Sequence, residues 1–139
     1  MRYRAPLEAP TSVVRPFDPP EQPWLPGHRG VDLAAGPGAV VVAPAEGTVT
    51  FAGEVAGRGV VTVTHPDGRR SSVEPVRPGV VAGEVVAGGT PVATVDGTAH
   101  ADASAADVPL LHWGVRLRDG TYVDPWSLLP GEGPVVLLP

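Results

Sequence analysis

Short runs of alternating Val and Thr, each stopped by Gly or Pro, fill most of this chain and predict β-strands. Ala39 to Ala43 reads as a brief apolar strand, and Gly47 to Ala52 as a half-buried one with Val49 and Phe51 on one face. Val60 to His65 alternates and then meets Pro66-Asp67-Gly68, a hairpin turn signal from which Arg69 to Val76 returns. Leu111 to Leu117 and Tyr122-Val123 form a second hairpin across Asp119-Gly120. Val80, Gly83, Val86, Gly89 and Val92 recur every three residues. That period fits neither a long helix nor a long strand; it predicts tight turns and short bridges, with Gly at positive φ, capping one end of a sandwich. No window sustains a helical period, and the 18 Gly and 18 Pro interrupt nearly all of them. The pattern predicts an all-β domain.

Residues 1–26 are Pro-rich and lack apolar periodicity, so they read as an extended lead-in, with Phe17 and Trp24 as anchors. The domain is expected over 27–130, with a tail over 131–139. The Ala-rich stretch from Thr98 to Asp107 suits a helical turn and a loop equally well.

Charge and composition narrow the function. A net charge of -5 argues against a nucleic-acid partner, which is normally gripped by excess basic residues. All 10 basic residues are Arg, with Lys, Ile and Asn absent, usage that suits a GC-rich genome. With no Cys, disulfides and thiolate metal sites are ruled out. Apolar runs are too short to cross a bilayer as a helix, and no apolar segment follows the charged start, so neither a transmembrane segment nor a signal peptide is expected.

The candidate chemistry lies in a few polar residues. His28-Arg-Gly-Val-Asp32 places an imidazole and a carboxylate four residues apart, with a Gly between them that lets the backbone bend so they converge. Both groups suit zinc, although the spacing alone equally describes a surface pair. In Leu110-Leu-His-Trp-Gly-Val-Arg116, alternation sets Leu110, His112 and Gly114 on one face and Leu111, Trp113 and Val115 on the other. A small residue beside His112 leaves room for a ligand, and a half-exposed strand histidine is the plainer reading. His65 reads as a turn histidine bonded to local backbone, and Trp126 as a packing residue.

Taken in order, these pieces carry a resemblance. H-x-G-x-D is followed by G-T-V-x-F-A-G, then G-x-G-x-V-x-V-x-H-x-D-G, V-x-x-G-x-x-V-x-x-G, an L-H strand and D-P-x-x-L-L. The series resembles the lysostaphin/LytM-type zinc metallopeptidases, family 23, which cut peptide stems or cross-bridges of peptidoglycan. The resemblance spans about Gly27 to Leu129. It implies an antiparallel β-sandwich or open barrel, with Zn2+ bound by His28, Asp32 and His112. Three protein ligands with an open fourth position is the catalytic pattern for zinc.

Three departures stand out. The family's first His of H-x-H corresponds to Leu110, and its other catalytic His to Glu74; Trp113-Gly114 replaces a Phe-Glu pair. One expectation is a hydrolase of peptidoglycan peptide in which Glu74 acts as general base and Arg116, along the same face as His112, touches substrate or replaces the lost donor. The other is a module that binds peptidoglycan or activates other cell-wall hydrolases without cutting. His100 would be a fourth ligand if the Ala-rich loop folds back, and is otherwise a loop histidine. Work on peptidoglycan implies an extracytoplasmic or wall-associated place, reached by a signal that this sequence does not display.

Overall fold

The computed structural model describes residues 1–19, 27–36, 38–97 and 110–130. Their strands are, in order, β1 Val13–Arg15, β2 Val31–Ala34, β3 Val40–Val42, β4 Gly47–Val55, β5 Arg58–Thr64, β6 Arg70–Glu74, β7 Val76–Pro78, β8 Val85–Val86, β9 Pro91–Val95, β10 Leu110–Arg116 and β11 Tyr122–Val123. One 3-10 turn, Pro125–Leu128, is started by the Asp124 carboxylate accepting from the Trp126 amide.

Eight strands form one antiparallel sheet in the order β1-β2-β10-β6-β5-β4-β8, with β11 also pairing β10. A second sheet, β3-β9-β7, packs against it; the chain returns to it at the cis Glu74-Pro75 bond, where β6 gives way to β7. The architecture is all-β, as the strand pattern predicts, and antiparallel and open, as the resemblance implies. The triplet repeat resolves into a turn with Gly83 at φ 100, the two-residue β8, and a turn with Gly89 at φ 85 leading into β9. It links the two sheets by adding an edge strand to the larger and the central strand to the smaller.

Between the sheets lies a Val-rich core. Leu111, Trp113 and Val115 of β10 meet Val61, Val63, Val73 and Leu33 from the large sheet and Val41, Val76 and Val92 from the small one. β-branched side chains suit this role because they are stiff and pack well on a pleated surface. The first nineteen residues are part of that core. Tyr3, Leu7 and Val13 are buried in it, with Phe17 packed at its margin. Main-chain bonds from Arg4, Glu8 and Val42 bind the segment along β3, and β1 pairs β2.

One strand face differs from the alternation. Val49 pairs Val63, but Phe51 pairs Thr62, so a bulge at Thr50 turns the Phe51 ring out of the core. Val49 and Phe51 therefore lie on opposite faces, and Phe51 is 39% exposed.

Candidate metal centre and substrate groove

The outer face of the large sheet is laid out in rows, because residues paired across antiparallel strands share a face. The first row holds Glu74 of β6, His112 of β10 and Asp32 of β2. Next comes Thr62, Ser72 and Gly114, with the Thr62 and Ser72 hydroxyls 2.8 Å apart. The third holds Thr64, Arg70, Arg116 and Tyr122. Together with Phe51, Val55 and Arg58 these residues line an open groove of about 850 Å³.

His28, Asp32 and His112 converge at the end of the groove. One ligand atom from each lies within 4.8 Å of the others. Asp32 Oδ1 is 3.2 Å from His28 Nε2 and 2.9 Å from His112 Nδ1. His28 and Asp32 are almost wholly buried, whereas His112 is partly open to the groove.

The protonation pattern fits a cation. His28 Nδ1 lies 2.8 Å from the carbonyl oxygen of Pro16, which can only accept, so Nδ1 carries the proton. A neutral His28 then aims a bare Nε2 lone pair at a carboxylate oxygen 3.2 Å away. Two acceptors at that distance need a proton or a cation between them. Two imidazole nitrogens and one carboxylate oxygen form a donor set of the kind zinc takes, and the Nδ1–H bond to a carbonyl is the usual means of fixing a metal-binding imidazole.

Gly30 serves this centre by close approach. Its backbone is not in the left-handed region. A Cβ there would collide with the Trp113 carbonyl and come within 2.7 Å of His112 Nε2. The glycine of His-x-Gly-x-Asp thus makes room for the facing histidine, which corrects the expectation that it serves to bend the backbone. At Gly114 a Cβ would meet the same ring only in ordinary contact, 3.5 Å from His112 Nε2, with the Arg29 carbonyl closer at 3.2 Å.

Glu74 sits directly across from His112 and lines the groove, as its place in the sequence predicts. Its Oε2 is 3.1 Å from Arg58 Nε. Arg116 also lines the groove, two rows from His112 and opposite Arg70. Leu110 pairs Ala34 beyond the metal row and is buried. His100, Trp24 and the tail over 131–139 lie outside the described residues. Instead of bonding only its own turn, His65 is buried, with Nδ1 donating to the Glu46 carbonyl at 2.7 Å and Nε2 accepting from Ser71 Oγ at 2.8 Å. Trp126 packs at the margin of the core.

Sequence reasoning misses three contributors. The Pro16 carbonyl belongs to a segment with no periodic signal. Arg58 and Arg70 enter the groove through strand register, although the alternation Arg70-Ser72-Glu74 was there to be read once β6 was placed.

Comparison with known proteins agrees with this architecture. The model for "Peptidase family M23" matches residues 26–125. The uncharacterized protein Rv2891 of Mycobacterium tuberculosis is 44% identical over 137 residues, covering 96% of this chain and 53% of the relative. The chain therefore spans about half the length of the curated relatives it matches. A zinc-containing peptidase from Vibrio cholerae superposes with a TM-score of 0.74 at 22% identity, over 90% of this chain and 39% of that one. The antimicrobial peptidase lysostaphin from Staphylococcus simulans gives 0.70 at 21% identity, over 92% and 54%. The fold is the lysostaphin type, and the chain belongs to peptidase family M23.

Proposed function

We propose that this domain is a zinc-dependent peptide hydrolase acting on the peptide stems or cross-bridges of peptidoglycan, outside the cytoplasmic membrane. The observation that carries the reading is the convergence of His28, Asp32 and His112 at the end of an open groove, with the Glu74 carboxylate directly opposite His112. Bound by these three residues, zinc would supply Lewis-acid polarisation of the scissile carbonyl and a water acidified towards neutrality.

The chain's own residues supply the rest. Arg58 holds Glu74 Oε2, and Oε1 has no partner among the described residues. That oxygen takes the proton from the attacking water and returns it to the leaving amine. Pro16 fixes the tautomer of His28, so that Nε2 stays available as a ligand. Leu110, standing where the family's pattern has a histidine, offers no donor to the developing oxyanion. Loss of one such donor typically costs about 10²–10³ in rate, so a slow enzyme is expected.

The same two departures, Leu110 and Glu74, favour a second reading: a module that binds peptidoglycan or activates other cell-wall hydrolases. Elemental analysis of purified protein and amine release from purified peptidoglycan separate the two. A hydrolase contains about one zinc per chain, loses it in His28→Ala, and loses amine release but not zinc in Glu74→Gln. Protein isolated without metal overturns the hydrolase reading. Bound zinc with no amine release from the unaltered chain leaves the binding module.

A further inference from the structure

Arg70 and Arg116 face each other in register on adjacent strands, on the groove side of the sheet. Like charges set directly opposite each other destabilise a strand pair. The third arginine lining the groove is compensated: Arg58 pairs Glu74. Among the described residues neither Arg70 nor Arg116 has an ion pair, and Glu74 is the only carboxylate lining the groove. The two arginines flank a floor of hydroxyls, Thr62, Thr64 and Ser72, with Tyr122 at the end of their row. An unpaired cationic row inside a groove, on a chain whose net charge is -5, is the complement of an anionic ligand group.

We infer that Arg70 and Arg116 form a carboxylate subsite, and that the groove takes a peptide bearing a carboxylate a fixed distance from the metal centre. The inference rests on the reading of the groove as a peptide-binding cleft. Guanidinium forks match the planar, two-oxygen geometry of a carboxylate. Four steps along β10 lead from His112 to Arg116, about 13 Å at the usual strand rise. Gly114 leaves the strip between them without a side chain. An extended peptide lying along β10 spans it with about four residues, so the recognised carboxylate lies three or four residues from the bond placed at the metal. Either an acidic side chain or the peptide's own C-terminus supplies that chemistry.

The test is a binding titration of the 139-residue chain with three synthetic alanine peptides. One carries a free C-terminus, one is its C-terminal amide, and one is the amide with a single Glu. At least one carboxylate-bearing peptide is expected to bind about tenfold or more tighter than the plain amide. Which of the two does so identifies the source. Arg70→Gln and Arg116→Gln should each abolish that preference, so that acid and amide bind alike to the same variant. Both substitutions should also raise Tm by removing the opposed charges, a pairing of lost binding with gained stability that a purely structural arginine would not show. Equal binding of acid and amide, no binding of any peptide by the unaltered chain, or a preference that survives both substitutions overturns the inference. Zinc content and amine release report separately on the hydrolase reading. A chain that selects carboxylates but cuts nothing refutes catalysis and keeps the subsite.

Discussion

The imidazole of His28 donates to the carbonyl oxygen of Pro16 at 2.8 Å, tying a candidate metal ligand to a segment with no recognisable pattern of its own. The tie is reinforced by reciprocal main-chain bonds between Asp18 and His28, at 2.9 and 2.7 Å. Orienting contacts of this kind are typically worth 10–100-fold in metal affinity. The candidate metal centre thus draws on the lead-in, His28 just before β2, β2 and β10.

The tight approach at Gly30 gives the first prediction. Gly30→Ala should displace the His112 ring and weaken zinc binding by about tenfold or more, in the range seen when a metal ligand loses its support. A zinc titration against a competing chelator measures it. Unchanged affinity would show that the ring has room to spare.

His65 predicts a pH dependence of stability. Burial pushes its imidazole below the usual histidine range, outweighing the hydrogen bond to Glu46 that acts the other way. Below about pH 6.5 the unfolded chain takes up a proton at this residue before the folded chain does. Its contribution is therefore complete above about pH 6.5 and is lost as pH falls towards the lowered folded value. Tm measured from pH 7.5 to 5 should decline, and in His65→Gln that decline should flatten whatever the absolute Tm.

Tyr3 anchors the N-terminal segment to the Pro66-Asp67-Gly68 turn through a 2.7 Å bond from its hydroxyl to Asp67 Oδ2, and its ring stacks edge-on to His65. Tyr3→Phe keeps the ring and loses the bond, at an expected cost of about 1–2 kcal/mol. Denaturant unfolding should show a lower midpoint with an unchanged slope.

Trp113 is fully buried, yet its indole N–H has no hydrogen-bond partner among the described residues. Trp113→Phe removes a polar group that makes no bond, so its cost should fall well short of the roughly 3–5 kcal/mol expected for Trp113→Ala. Paired unfolding curves decide it; equal losses would mean that the indole contributes something a phenyl ring of most of its volume cannot replace.

Much of this molecule was legible in its sequence. The alternation in Leu110 to Arg116 separates core from groove correctly, because a strand's period of two is fixed by backbone geometry. The Pro66-Asp67-Gly68 turn sets the β5–β6 hairpin for the same local reason. His28, Asp32 and His112 read as one site only through the resemblance, since the contact between residues 32 and 112 is a matter of register across 80 residues. Nothing in the pattern marks Tyr3, Leu7 and Val13 as core, because isolated apolar residues among prolines have no period. Phe51 defeats the alternation because one extra residue in a bulge reverses every side chain beyond it.

The division of labour on β10 has a consequence for how such a domain changes over generations. Leu111, Trp113 and Val115 hold the fold from one face, while His112, Gly114 and Arg116 meet the groove from the other. Substitutions on the outer face need not disturb the inner one, so a lineage can discard or exchange catalytic groups and still inherit a folded protein. Leu110 of β10 and Glu74 of β6 stand where the resemblance places histidines. The route runs in both directions: a protein engineer placing histidine at those two positions would be editing one face of β6 and β10 while the core-facing side chains of both strands stay as they are.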